Sequence, residues 1–426
     1  MAISSVQTTE TLVVATALQV AAMIGAARIM NGIFRAAGQP GVVGEIVAGL
    51  LLGPSLFGFL FPDLSAALFG AKASPAITIL SQIGLILLMF QIGSDFEFQL
   101  LGRGRNRVAV FVIAFVSIAV PFGAGLAFGQ ISAPVLANSV QAIPYALFCG
   151  VAVAITAVPI LGRILREFDL TRTELGVVAI SAAALNDVCG WVMLAAISAV
   201  AAGAYNAGST LWQLAGLAAL LGFIWFGLRP LSDRVISRFE RGEDPLPPNL
   251  MAIVLVTIFG LATCTFKLGV FSIFGGFIGG LVVHQHHRFV AAWRERVGKF
   301  VQVFFLPIFF TFTGLRTNVL GLTVDDAGWL AALLALSVLA KTVPVFFAAR
   351  GVGFSTAESA VLGTLMNTRA LMELIVLNVG FDLGVLPQKV FTMLVIMAVV
   401  TTLMTGPLLQ RLLPSLGYGR RHPIEA

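Results

Sequence analysis

Apolar runs of about twenty residues, each long enough to cross the hydrocarbon of a bilayer, follow one another along nearly the whole chain. They predict thirteen membrane spans, at 12–34, 41–60, 75–95, 107–129, 142–164, 174–203, 210–228, 248–266, 269–285, 296–315, 328–349, 356–379 and 388–411. The balance of residues agrees, since 58% of the 426 positions are hydrophobic and 11% are charged, against roughly 25% charged in soluble domains. The predicted class is an all-α polytopic membrane protein. The first span follows a polar tail without a basic stretch, which argues against a cleaved signal peptide.

The net charge of +6 does not point to nucleic acid, because its placement follows the membrane. With the N-terminus outside, Lys72, Lys267, Arg316 and Lys389 fall in outer loops, and Lys341 and Arg369 lie within spans. The other twenty of the 26 Lys and Arg residues then sit on the inner side. Such a bias orients the chain with its N-terminus out and its C-terminus in. Cys149, Cys189 and Cys264 all fall within spans and offer neither a disulfide framework nor metal-ligand spacing. They read as small apolar packing groups.

Weak internal similarity divides the chain into repeat one (12–203), a linker helix (210–228) and repeat two (248–411), within a single transmembrane domain covering 1–426. "GEIVAGLLLG" (44–53) matches "GGFIGGLVVH" (275–284), Pro121 matches Pro344, and "AITAVP" (154–159) matches "MNTRAL" (366–371). Because the halves start on opposite sides, this is a 6+1+6 arrangement of inverted repeats, an architecture that places a transport site at the midplane. Pro159 breaks the fifth span by removing an N–H from the carbonyl of Ile155 and disfavouring helix at Val158. Thr156 lies at that level, and Gly363, Thr364, Asn367, Thr368 and Arg369 interrupt the twelfth span at comparable depth. The paired glycines of "GGFIGG" (275–280) read as close helix packing.

Glu45, Asp187, Lys341, Arg369 and Glu373 are the ionisable residues deep in the spans, where each costs several kcal/mol. Asp187 has Ala183, Ala184 and Gly190 on its helix face, which leaves room for an ion or water. A carboxylate short of water exchanges a proton near physiological pH, and in its charged form it is a hard oxygen ligand for a monovalent cation. One group can therefore hold either cargo. Three roles are open to Lys341: stabilising the charged Asp187, titrating itself, or bracing the fold. Arg369 and Glu373, four residues apart, read as a structural pair along one helix face. Glu45 faces either a helix interface or the inner mouth. "HQHHR" (284–288) reads as a surface anchor more readily than as a pH sensor.

The stretches "GEIVAGLLLGPSLFG", "ITAVPILGRILREFDL", "SAAALNDVCGW", "LPIFFTFTGLRTNV" and "NTRALMELIVLNVG" resemble the monovalent cation:proton antiporter-2 family. The resemblance is nearest its potassium/proton and plant cation/proton exchanger branch. It implies thirteen helices, two crossed broken helices, a mobile core, a dimerisation domain and a homodimer. By family motif, Asp187 is the ion- and proton-binding carboxylate. Asn186 stands where electrogenic relatives carry a second aspartate, and Lys341 is the core lysine that pairs with that aspartate. Potassium-efflux members often continue into a soluble regulatory domain, which a chain ending at Ala426 is expected to lack.

The expectation is thus a secondary-active antiporter of the inner or plasma membrane, exchanging K⁺ or Na⁺ for protons by alternating access and needing no cofactor. Asp187, Asn186 and Thr156 form its ion- and proton-binding group, with Asp187 as the ligand of the monovalent cation. Lys341, Arg369, Glu373, Asn367 and Thr368 support it. With one carboxylate, exchange is expected to be electroneutral. No Ser/His or metal-ligand constellation suggests an enzyme. An organic-anion symporter and a cation channel are the competing readings.

Overall fold

The computed structural model describes residues 2–70, 75–95, 105–171, 173–201, 215–216, 218–240, 242, 244–268 and 271–417. Within these residues the regular structure is helical throughout. Ten helical segments are long and apolar enough to cross a membrane, and Ala142–Ala154 and Ser272–Val283 are shorter apolar helices. Residues 210–214 and 217 of the expected linker span at 210–228 lie outside the described residues, as do Lys72, Arg103, Arg172, Arg241, Arg420 and Arg421.

The helices that matter here are α1 (Ala2–Ala36), α2 (Gly41–Leu52), α3 (Pro75–Ser94), α4 (Arg105–Leu136), α5 (Ala142–Ala154), α6 (Val158–Glu167) and α7 (Glu174–Ala201). They continue as α8 (Arg229–Glu240), α9 (Pro248–Lys267), α10 (Ser272–Val283), α11 (Leu306–Leu315), α12 (Val324–Gly351), α13 (Thr356–Met366), α14 (Leu371–Asp382) and α15 (Gln388–Leu412).

Packing sorts them into two groups. In the first, α2 lies on α1 and α11, while α3 and α9 enclose α10. In the second, α5 is wrapped by α4, α7 and α14, and α12, α13 and α15 close around them. The second group contains the most deeply buried elements, since every residue of α14 from Leu371 to Gly380 is buried. Its outer helices turn large apolar side chains outward, among them Phe115 at 71% exposure and Phe347 at 66%. Apolar surface on that scale suits lipid rather than water.

Small residues set the close approaches in the first group. A Cβ on Gly49 would meet the Phe310 backbone, and one on Gly314 would meet the backbone of Gly49. In the same way Gly276 and Gly280 let α10 rest on the Ile86 and Phe90 carbonyls of α3. With little hydrophobic drive between helices in lipid, such contacts supply the packing. Trp191 of α7 bridges the two groups, its ring 5.2 Å from Phe274 of α10.

Several expectations shift in detail. The ninth span contracts to a helix of 12 residues, about 18 Å long at 1.5 Å per residue, so it cannot cross the membrane alone. Its counterpart α2 is also 12 residues and ends at Gly53, in extended backbone just before Pro54. Of the three cysteines, Cys149 is buried, whereas Cys189 and Cys264 are exposed on outer helix faces. Only Cys149 is a core packing group. Glu45 lies between α1 and α2, accepting from Asn31 Nδ2 at 2.6 Å with Arg28 at 3.6 Å. His286 of the histidine cluster meets Asp233 of α8 at 3.0 Å. On the connection between the halves, the Arg296 hydrogen bond holds the Asp244 carboxyl below its usual range.

Gly314→Val tests the α2–α11 contact. Forcing the backbones apart costs about 1–3 kcal/mol, whereas Gly328→Val, where a Cβ meets nothing within 4 Å, leaves stability nearly unchanged. Thermal unfolding of both variants in detergent measures the difference.

Candidate functional site

Two interruptions of helix meet in the second group. The first separates α5 from α6. Helix α5 stops at Ala154, and Ile155 (φ −70°, ψ 143°) is extended. Ala157 (φ −89°, ψ 102°) caps α6, with Pro159 in its first turn. Proline there costs nothing, because the N–H it lacks has no partner inside a first helical turn. The expectation is corrected in one respect: Val158 is already helical, and the break occupies the three residues before it.

The second interruption lies between α13 and α14, over Asn367–Ala370, and needs no proline. Ala370 sits at φ 103°, ψ −99°, a backbone region that a side chain enters at a cost of order 1–3 kcal/mol. Surrounding bonds hold it there. The Arg369 N–H donates to Thr402 Oγ1 of α15 at 3.2 Å, and the Leu374 N–H donates back to the Ala370 carbonyl at 2.8 Å.

The interruptions are bonded to each other. The Ala157 N–H donates to the Thr368 carbonyl at 3.1 Å, and the Thr156 hydroxyl donates to the Met366 carbonyl at 3.0 Å. Thr368 reaches Thr405 of α15 at 3.5 Å. The carbonyls opened at the end of α5 are taken by cations. Arg369 Nη1 donates to the Ala152 carbonyl at 2.9 Å, and Lys341 Nζ donates to the Ala154 carbonyl. A helix C-terminus carries roughly half a negative charge, so two cations are favourably placed there. The second Arg369 nitrogen, Nη2, reaches the Ser337 carbonyl of α12 at 3.2 Å, one turn before Lys341. Arg369 and Glu373 therefore do not form the expected pair on one helix face: Arg369 is in the break, and its guanidinium bonds to backbone.

Asn186 and Asp187 of α7 face this junction. The Asn186 amide donates to Ser117 Oγ at 3.2 Å, to the Ala154 carbonyl at 3.4 Å and to Thr156 Oγ1 at 3.4 Å. Asp187 is 2% exposed, yet neither carboxylate oxygen has a partner of ordinary hydrogen-bond geometry among the described residues. The Val158 N–H at the start of α6 and the Lys341 ammonium are its electrostatic neighbours. Thr156, Asn186, Lys341, Asn367, Thr368, Arg369 and Glu373 are likewise buried. All eight residues singled out from the sequence belong to α7, α12 or the two breaks with the first turn of α14.

The sequence reading passed over Ser117, Ser337, Thr402 and Thr405. Ser117 lies one turn before Pro121 and Ser337 one turn before Lys341, while "TTLMT" (401–405) is a polar run in an apolar span. Those are the signals that could have flagged them.

A model of the sodium/hydrogen exchanger transmembrane region matches residues 20–414. The chain belongs to the sodium/hydrogen exchanger family. It is 36% identical over 397 residues to the Na(+)/H(+) antiporter NhaS4 of Synechocystis, covering 92% of this chain and 96% of that protein. It is 32% identical to cation/H(+) antiporter 17 of Arabidopsis thaliana and spans 47% of its length. It is 30% identical to K(+)/H(+) antiporter 1 of Saccharomyces cerevisiae and spans 44% of that protein. The fold is similar to the sodium proton antiporter MjNhaP1 from Methanocaldococcus jannaschii at pH 8. The TM-score is 0.66 at 17% identity, over 96% of this chain and 100% of that one.

The junction predicts a ranking of stabilities. Arg369→Leu strips two backbone carbonyls of a charged donor and costs about 3 kcal/mol or more. Thr402→Val removes one neutral acceptor and costs about 1–2 kcal/mol. Melting temperatures in detergent should therefore fall further for the arginine variant.

Proposed function

We propose that this protein is a secondary-active antiporter that exchanges a monovalent cation, Na⁺ or K⁺, for a proton, with Asp187 as the group that carries each in turn. One observation carries the reading. Asp187 is the carboxylate on α7 that faces two interrupted helices, buried and without a hydrogen bond of ordinary geometry among the described residues. A carboxylate left in that condition gains from either a proton or a cation, and it cannot hold both. Thr156 and the break carbonyls offer neutral oxygens beside it, of the kind hard cations take. The printed names of the relatives, which include sodium/proton, potassium/proton and general cation/proton antiporters, support the same class of cargo.

Alternating access follows if the α4–α7 and α12–α15 group moves as a core against the helices α1–α3 and α9–α11, carrying Asp187 past the bilayer midplane. The shared length of α2 and α10 and the two matched interruptions support a 6+1+6 inverted repeat. A homodimer built on the first group, an N-terminus outside and a place in the inner or plasma membrane complete the reading. The charge bias of the loops supports the orientation.

Asp187→Asn should abolish cation-driven proton movement while insertion and folding persist, because an amide neither takes up nor releases a proton at accessible pH. Exchange is measured in proteoliposomes by cation-dependent dequenching of a pH dye. A variant that still exchanges at a near-normal rate would remove Asp187 from the role.

Stoichiometry follows from position 186. With Asn there, the site has one carboxylate, neutral when loaded with either cargo, so exchange is one for one and electroneutral. The alternative is a second proton lost by Lys341 as the cation arrives, which would make transport respond to potential by about 2.3 kcal/mol per charge per 100 mV. Sodium-driven proton flux at clamped potentials, set by potassium and valinomycin, should show no dependence on voltage. A dependence that disappears in Lys341→Gln would assign the second proton to the lysine.

A further inference from the structure

Polar side chains join the two helix groups at one end of the molecule, where α2, α11 and α14 finish and α12 and α15 begin. Arg316 caps the C-terminus of α11 in the first group and reaches across to α14 in the second. Its Nη1 lies 2.6 Å from Asp382 Oδ1 and donates to Asn378 Oδ1 at 3.2 Å. The guanidinium stands over a ring from each group, 3.9 Å from the Phe312 centroid of α11 and 5.5 Å from that of Phe381 of α14. One turn deeper on both helices is a second link: Asn378 Nδ2 donates to Thr313 Oγ1 at 2.8 Å, and both residues are buried. The backbone after α11 is engaged as well. Gln388 of α15 donates to the Arg316 carbonyl, and the Asn318 N–H donates to Thr392 Oγ1 of α15 at 3.2 Å. The same loop is tied to the first group, since Ser55, just past α2, donates to the Thr317 carbonyl at 3.0 Å and accepts from the Val319 N–H at 2.9 Å. An exposed ion pair alone contributes only about 0–1 kcal/mol. Here one planar guanidinium, its side chain 19% exposed, meets a carboxylate, an amide oxygen and two aromatic faces at once, which makes it a firmer tie.

We propose that Arg316 is the latch of a gate at this end: bound to Asp382 and Asn378 it holds α14 against α11 and shuts the route to Asp187, and its release opens that route. The proposal rests on alternating access by the second group and adds which contact must break. Helix α14 starts at the second break, beside the junction that Asp187 faces, and its 12 residues extend about 18 Å to Asp382. Cargo arriving from the Asp382 side passes between α14 and α11, where the Arg316–Asp382 and Thr313–Asn378 links stand one behind the other. Loss of the latch therefore shifts the population toward the form open on this side, and apparent affinity follows the competent fraction. Asp326 and Lys389, 2.8 Å apart at the same end, both belong to the second group and stay together in this motion.

The test bridges the latch in the full-length protein in proteoliposomes. In Arg316→Cys/Asp382→Cys, joining the thiols with a short bis-methanethiosulfonate should slow sodium-driven proton movement by about tenfold or more, because a gate that cannot open limits turnover. Reduction should restore the rate. The same bridge in Asp326→Cys/Lys389→Cys, and the same reagent on the wild type with its native Cys189 and Cys264, should leave the rate unchanged. A bridged latch that exchanges at the unbridged rate overturns the proposal. The sodium KM, taken separately from each side, gives a second reading that needs no cysteines. Asp382→Asn should lower it about tenfold from the Asp382 side and raise it about twofold from the other, as population moves between the two forms. The charge exchange Arg316→Asp/Asp382→Arg should return both values toward the wild type. Direction separates the latch from simple electrostatics, since losing a carboxylate at the mouth would by itself repel sodium and raise the KM on that side. Any other pattern overturns the latch and leaves the antiport reading standing. A wild type without sodium- or potassium-driven proton movement overturns that reading and the latch with it.

Discussion

A helix that stops inside a membrane leaves backbone carbonyls with no water to turn to, each at a cost of several kcal/mol. Everything distinctive in this protein follows from how the end of α5 meets that requirement. Arg369 and Lys341 reach it from the second break and from α12 and donate to Ala152 and Ala154. Two cations that would be costly alone in lipid are stabilised by the dipole they cap, and the exposed carbonyls are stabilised by them. Neither the break nor the charges would persist without the other.

This mutual satisfaction fixes geometry well beyond the carbonyls. Arg369 also grips the Ser337 carbonyl, so α5, α12 and the α13–α14 break are held by a single side chain. The Thr156–Met366 and Ala157–Thr368 bonds set the two breaks against one another. Asp187 lies close to the junction but outside its hydrogen-bond network. A braced junction beside a carboxylate that has no hydrogen bond of ordinary geometry among the described residues is the arrangement the proposed exchange calls for. A fully bonded aspartate would have little to gain from a proton or an ion.

Much of this was legible in the sequence because burial in lipid makes polar residues conspicuous. Asp187, Lys341, Arg369 and Glu373 stand out against apolar neighbours, and Pro159 announces the first break within a few residues. The second break carries no such sign. Ala370 occupies a backbone region that normally calls for glycine, and the break is held by a bond from the preceding Arg369 N–H to Thr402, which lies 33 residues further on in another helix. Side-chain partners were least legible. Helical spacing suggested that Arg369 would meet Glu373, an inference valid only if the helix continued through residue 369. The break that defines the site is what invalidated it. The outward positions of Cys189 and Cys264 were hidden for a related reason: in lipid both faces of a span are apolar, so periodicity does not tell inside from outside.

Position 186 shows how one substitution can reorganise such a junction without changing its outline. An amide donates, and here it donates toward Ser117, Ala154 and Thr156. An aspartate at the same place has only acceptors. It would set its oxygens against the Ala154 carbonyl and draw the Lys341 ammonium toward itself, leaving that carbonyl to find another donor. With asparagine, the carbonyl can be shared by amide and lysine, and the lysine is committed to the helix end instead of to α7. Whether the Lys341 ammonium is drawn toward α7 or held at the end of α5 therefore depends on whether residue 186 can donate a hydrogen bond.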